Sequence, residues 1–217
     1  MITIPKTPII IQESSPKEID RPWHCYKRGD FIPLSNNGVW QICRGWVQLS
    51  TISMTGEERI LGWFGSSMWL STWLTLQPAH QAKALSDTLL LWYSRGEIEK
   101  TPELCQSLLP QTGKHLRQVE SLLATLKHKR VEDRLYHLLN LLKQDMGEPI
   151  DRGIRLAARL THEDLANAIG TCRVTVTRLL GKLKQQGEIE IDSRGHLILL
   201  QKPDRSAIEK LLYHSSI

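Results

Sequence analysis

Long apolar runs are missing from this chain: none approaches the ~18 residues that a membrane-spanning helix requires, so no spanning segment is expected. Cysteine is scarce. Cys25, Cys43, Cys105 and Cys172 are scattered without a C-x-x-C pair, which argues against zinc and thiol-redox motifs and for a reducing, cytoplasmic compartment. A nucleophile elbow, a P-loop, zinc-ligand spacing and a paired acid–base constellation are all absent, so no enzyme, metal or cofactor is expected. The apolar stretch from Met1 to Ile11 is interrupted by Pro5 and Pro8 and lacks a small-residue cleavage site, so it does not read as a signal peptide. Tryptophan is absent after Trp92, and acidic residues are absent from Leu165 to Gly187. These last two gaps divide the chain.

What remains is an ordinary globular composition in 217 residues, long enough for one or two domains. Lys and Arg (28) exceed Asp and Glu (23), a mild hint of a polyanionic partner. Within the tryptophan-rich part, Val39-Trp-Gln-Ile-Cys43, Trp46-Val-Gln-Leu-Ser50 and Arg59-Ile-Leu-Gly-Trp63 read as short strands between spaced glycines. Met54-Thr-Gly-Glu57 reads as a hairpin turn. A β-sandwich or barrel is therefore predicted from about Trp23 to Tyr93, its core filled by tryptophan. Trp69 and Trp73, four apart beside Met68, fit that core or, as the alternative, the lining of an apolar pocket or a partner surface.

From Thr101 the pattern becomes helical, with a capping residue followed by proline at the first helical position. Leu109, Leu116 and Leu123 recur every seven residues, interleaved with Thr112, Val119 and Leu126. Periodicity alone fits equally a helix buried in its own domain and a seam between two copies. A second amphipathic helix runs from Val131 through Leu142 and stops at Met146-Gly-Glu-Pro149, so a domain boundary is placed near residue 128.

Thr161-His-Glu-Asp164 starts a short helix that Gly170 ends, with Leu165, Ala166 and Ile169 at helical spacing. A new helix follows at once, burying Val176, Leu179, Leu180 and Leu183 and closed by Gly187. This is a helix-turn-helix. Its second helix carries Arg173, Val174, Thr175, Thr177, Arg178, Gly181 and Lys182 off the apolar stripe, clustered toward the N-terminal end that meets base edges in such motifs. Arginine presents a planar fork to guanine, while hydroxyls, Lys182, Lys184 and the helix N-terminus near Cys172 and Thr161 suit phosphates. Ile189-Glu-Ile191 and Leu197-Ile-Leu-Leu200 flank Asp192-Ser-Arg-Gly195, a hairpin wing whose tip places Arg194 near a backbone.

Thr171-Cys-Arg-Val-Thr-Val-Thr-Arg-Leu-Leu-Gly-Lys-Leu183, preceded by Leu165-Ala-Asn-Ala-Ile-Gly170, resembles the DNA-binding signature of the cyclic-AMP receptor/FNR (Crp/Fnr) family of bacterial regulators, and within it the cyanobacterial nitrogen-regulator type. Tyr26-Lys-Arg-Gly-Asp30, Ile42-Cys-Arg-Gly-Trp-Val-Gln-Leu49, Gly56-Glu-Glu58 and Phe64-Gly65 are similar to the family's glycine framework. The resemblance implies an α+β chain of three parts: an N-terminal cyclic-nucleotide-binding-like β-roll (1–100), a long dimerisation helix (101–127) and a C-terminal winged helix-turn-helix (128–217). It implies a homodimer on double-stranded DNA, with RNA polymerase as a further partner and no membrane. It makes Arg173 and Arg178 base readers and Thr175 a phosphate contact, and places Cys172 where many members have serine. Val174 stands where the cyclic-AMP receptor type has glutamate, which favours a GTA…TAC palindrome.

The family's cyclic-nucleotide pocket needs a glutamate after Phe-Gly and an arginine–serine pair further on. Here Ser66 and Ser67 follow Phe64-Gly65, and the later segment is Gln77-Pro-Ala-His-Gln-Ala-Lys83. Without glutamate and arginine, cyclic AMP is not expected to bind. Ser66, His80 and Lys83 are candidates for holding some other anion; the effector is unknown. An iron–sulfur sensor would need clustered cysteines, and only Cys25 and Cys43 lie in this part. Two rival functions stay open: a protein-interaction module using the helix-turn-helix, and a small-ligand sensor.

Overall fold

A computed structural model describes residues 21–73 and 80–200. The readings of Met1 to Ile11 and of Gln77 to Ala79 lie outside the described residues. Eight strands come first: β1 (His24–Tyr26), β2 (Phe31–Ile32), β3 (Gly38–Arg44), β4 (Val47–Ile52), β5 (Glu58–Phe64), β6 (Trp69–Leu70), β7 (His80–Ala84) and β8 (Thr88–Ser94). They pair antiparallel in two sheets, ordered β1-β8-β3-β6 and β2-β7-β4-β5. Between the sheets lie Trp40, Ile42, Val47, Leu49, Phe64, Met68, Leu70 and Leu90. This is the expected β-roll, with Val47 and Leu49 facing inward as the alternation of β4 requires. Tryptophan does not fill it: Trp40 is buried here and Trp92 packs against it, while Trp46, Trp63, Trp69 and Trp73 pack into other cores and Trp23 is exposed.

The other face of β4 carries Gln48 and Ser50, and both are buried as well, so something covers the outside of this sheet. Opposite them the register shifts: Leu49 pairs with Gly62, but Ser50 pairs with Ile60, leaving Leu61 as an extra residue on β5. Such a bulge resets the alternation. Ile60 and Trp63, three apart, therefore point to the same outer face, where both join the core of the C-terminal part.

After β8, a helix α1 (Arg95–Lys100) precedes α2 (Pro102–Leu126) and α3 (Val131–Met146). The α1 helix was not foreseen, although Ser94-Arg-Gly-Glu97 closes a full capping box. The Arg21 guanidinium, 2.6 Å from Glu97, together with the Ser94 N–H, holds that carboxyl down at about 2. Trp69 and Trp73 serve this junction: with Val39, Tyr93, Ile98, Leu104 and Leu108 they form a small core between the first sheet and α1–α2. They belong to the packing of the chain itself rather than to an open pocket.

Helix α2 turns Leu108, Gln118, Leu122 and Thr125 inward. Gly62 of β5 leaves room for the Gln118 side chain of α2, whose Oε1 a Cβ there would meet. Gln118 uses that room to accept the Trp63 N–H at 2.8 Å and to donate to Asp145 of α3 at 2.6 Å.

The C-terminal part continues with β9 (Gly147–Ile150), β10 (Gly153–Leu156), α4 (His162–Ile169), α5 (Arg173–Gln185), β11 (Ile189–Ile191) and β12 (Leu197–Leu200). Its sheet is ordered β11-β12-β10-β9. The β9–β10 hairpin was not foreseen. Gly147, Pro149 and Gly153 read as a helix break, yet Pro149 is tolerated because β9 is the edge strand of this sheet.

Candidate nucleic-acid interface

Helix α4 starts as its sequence demands. The Thr161 hydroxyl accepts the Asp164 N–H at 3.0 Å, and Asp164 Oδ2 accepts the Thr161 N–H at 2.8 Å. It stops at Gly170, whose φ of 63° lies in the left-handed region that a side chain would resist. Three residues later α5 begins, with Val176, Leu179 and Leu180 buried against α3 and α4.

The remaining face of α5 is open. Cys172, Arg173, Val174, Thr177, Arg178, Lys182 and Lys184 are exposed and Thr175 is half-buried. Val174 is 77% exposed, at the N-terminal end of the helix and between these polar residues. The Thr177 hydroxyl donates to the Arg173 carbonyl at 2.9 Å and sits 2.7 Å from His162 Nδ1 of α4. The Cys172 thiol lies 3.2 Å from the Thr175 hydroxyl, and this contact, followed by the backbone N–H of Thr175, holds its pKa below the usual thiol range. Lys182 reaches back instead, placing its ammonium 3.2 Å from Glu132 of α3. Thr161 is exposed but its hydroxyl is engaged in the capping box.

The wing is braced at its root. Arg155 of β10 binds Glu148 at 2.9 Å and Asp192 at 3.0 Å, and contacts His196 Nδ1 at 2.9 Å. Burial pushes the Asp192 carboxyl up, but the His196 N–H, Arg155 and the Arg194 N–H outweigh it and hold it well below the usual range. Arg194 is thereby fixed at an exposed tip by its backbone N–H, 2.9 Å from Asp192 Oδ1. Between the wing and the helices runs a groove of about 550 Å³ lined by Arg159, Thr161, His162, Arg173 and Gly195, among others. Arg159 and His162 were not among the sequence candidates, because they lie outside the periodic α5 pattern. The available signal was a basic residue two places before a capping threonine and a histidine directly after it.

The effector candidates are not gathered into one site. Ser66 is exposed in the turn after β5, His80 is half-buried at the start of β7, and Lys83 points out of the roll. Lys83 faces away from the inter-sheet core, which Ala82 and Ala84 line, and its ammonium sits 3.2 Å from Asp164 of α4.

Along α2, Leu109, Leu116, Leu123 and Leu126 are 76%, 57%, 60% and 43% exposed, Thr112 is exposed and Val119 half-buried. This apolar stripe is distinct from the one the helix turns inward. Among the described residues no helix is long and apolar enough to cross a membrane, and no group of three potential metal ligands occurs.

A family model of the Crp-like helix-turn-helix domain matches residues 130–205. The chain is 31% identical over 165 residues to the global nitrogen regulator of Synechocystis sp., covering 72% of this chain and 73% of that protein. It is 29% identical over 174 residues to the regulatory protein CysR of Synechococcus elongatus, covering 79% and 81%. Among solved structures, it is similar to a CRP/FNR-family transcriptional regulator from Thermus thermophilus (TM-score 0.66, 22% identity, 88% and 97% covered). It is also similar to FixK2 from Bradyrhizobium japonicum (TM-score 0.69, 19% identity, 88% and 96% covered). With a β-roll, a long helix and a helix-turn-helix whose second helix keeps one face exposed, the chain belongs to the Crp/Fnr family of DNA-binding, non-enzymatic transcriptional regulators.

Proposed function

We propose that the protein is a homodimer that binds a palindromic operator of the GTA…TAC type in the cytoplasm and regulates transcription with RNA polymerase, without cyclic AMP as effector. The functional division falls at residues 1–100, 101–127 and 128–217. The observation that carries this reading is the open N-terminal face of α5, where Arg173 and Arg178 flank the apolar Val174 in reach of a major groove. Arg173 and Arg178 read guanine through bidentate hydrogen bonds, and Val174 meets a thymine methyl. Cys172, Thr175, Thr177, Lys184 and the wing's Arg194 contact phosphates, Thr161 and Lys182 lie at the edge of the same surface, and Arg159 and His162 extend it. Leu109, Thr112, Leu116, Val119, Leu123 and Leu126 form the seam between copies, which the exposure of its leucines supports.

The absence of cyclic AMP is supported by the sequence, in which Ser66 and Ser67 follow Phe64-Gly65 in place of the expected acid and no arginine occurs from Gln77 to Lys83. The test is selection of bound sequences from random duplex DNA. Enrichment of paired GTA and TAC half-sites is the expected result; recovery without sequence preference would refute it.

A further inference from the structure

We propose that Lys83, Gln48 and Glu58, on the outer face of the sheet β2-β7-β4-β5, are positioning residues for DNA recognition, acting through Asp164 and Asn167 of α4. The proposal rests on the reading of the protein as a dimeric DNA binder.

The β-roll and the helix-turn-helix already share an apolar contact, since Ile60 and Trp63 pack into the core of α3, α4 and α5. Apolar burial is non-directional, so it holds the two parts together without aiming one at the other. Direction comes from hydrogen bonds and ion pairs, whose strength falls steeply with misalignment. They converge on Asp164, which is only 3% exposed. Its Oδ2 closes the capping box with Thr161, accepting the Thr161 hydroxyl at 2.7 Å. Its Oδ1 accepts from the Lys83 ammonium at 3.2 Å and, at the outer limit of 3.5 Å, from Gln48 Nε2. One carboxylate thus both caps the first helix of the motif and moors it to the roll.

A second contact fixes the rotation about that mooring. Asn167 Nδ2, nearly one turn on, donates to Glu58 Oε2 at 2.9 Å. Gln48 is itself held, because its Oε1 accepts the Trp63 indole N–H at 3.2 Å. The far end of α4 is tied to the hinge between α2 and α3: Arg134 donates to the Ile169 carbonyl at 3.1 Å and to the His128 carbonyl at 2.8 Å. With α4 held at both ends and α5 packed on it, the roll and the dimer helix together aim the reading face.

A dimer needs this. Two half-sites on one face of a duplex have a fixed separation, about 34 Å per helical turn, and the two reading helices must match it. A domain free to swing would match it in only a fraction of its orientations, and apparent affinity falls by that fraction. It would also reach other separations that the clamped dimer rejects. The predicted signature is specific: loss of the clamp blurs spacing preference and leaves base reading intact.

The experiment titrates the full chain against duplexes carrying two GTA half-sites, with separations stepped by one base pair, and against a duplex with a single half-site. The wild type should prefer one separation. Lys83→Met, and independently Asn167→Ala at a half-buried position outside the core, should lower affinity at that separation about tenfold, flatten the profile, and leave single-half-site affinity within about twofold. Lys83→Arg, which keeps a cation in reach of Asp164, should retain the wild-type profile. Variants with an unchanged spacing profile, or with equal losses on the single and the paired sites, would overturn the clamp. A wild type that fails to distinguish half-sites from scrambled DNA would instead refute the DNA-binding reading beneath it.

Discussion

Replacing Leu116 with lysine separates the two faces of α2. A fully buried leucine contributes about 2 kcal/mol relative to an exposed one. Leu116 is 57% exposed in the single chain, so a partner can still cover somewhat more than half of that benefit, roughly 1.1 kcal/mol per copy. In a parallel seam each position faces its own counterpart, so both copies lose this burial and two ammonium groups are brought together. The combined penalty is about 3–4 kcal/mol, which raises the dimer dissociation constant by a factor on the order of 100 to 1,000. Sedimentation velocity over a dilution series measures it directly. The control is Leu122→Ala, on the inward stripe of the same helix, where Leu122 is 6% exposed. That cavity should cost about 2–5 kcal/mol of folding stability and lower Tm, yet leave association of the folded chain unchanged. Leu116→Lys that remains dimeric, or Leu122→Ala that dissociates, would show that the wrong face of the helix has been assigned to the seam.

Three further expectations concern the two ends of the molecule. Arg173→Ala should cost roughly tenfold or more on the operator and almost nothing on scrambled duplex, whereas Lys184→Ala should weaken all duplexes alike and lower the salt slope by about one unit; equal losses on every duplex for Arg173→Ala would make it a backbone contact. Isothermal calorimetry with cyclic AMP should give no binding heat, and micromolar affinity would contradict the absence of partners for its ribose and phosphate. The wing should loosen in acid. Burial, then the Arg155 charge, push the His196 pKa below its ordinary value of about 6.5, and Asp192 is depressed as well. Both groups bind fewer protons folded than unfolded, so their contribution is complete above about pH 6.5. It declines as His196 of the unfolded chain protonates, and falls further through the carboxylate range. Amide exchange in β11 and β12 should therefore be faster, relative to the rest of the chain and after correction for intrinsic rates, at pH 5 than at pH 8; greater protection at pH 5 would refute the assignment.

Much of the site was legible because its signals are short-range. A threonine cap, an acid three residues on, a glycine at the turn and an apolar stripe every three or four residues specify α4 and α5 without reference to the rest of the chain, and the structure places both helices there. The same holds for the wing hairpin and for the heptad leucines. Where local signals misled, an edge position was responsible: Pro149 and the flanking glycines look like breakers until β9 is seen to need pairing on one side only.

Lys83 marks the limit. Beside Ser66 and His80 in the sequence it suggested an anion site, and nothing nearby indicated otherwise. Its actual partner, Asp164, lies 81 residues away, and Gln48 meets the same carboxylate across 116 residues. The inward stripe of α2 likewise meets a distant strand, where Gln118 accepts the Trp63 N–H of β5, and the outward turn of Ile60 and Trp63 follows from one extra residue on β5. Periodicity and capping involve neighbours within a turn or two, so the sequence by itself determined α2 to α5, the wing hairpin and the basic exposed face of α5, but neither α1 nor the β9–β10 hairpin. The direction in which that face points depends on contacts between distant segments, and these exist only once the roll, the long helix and the winged helix have packed together.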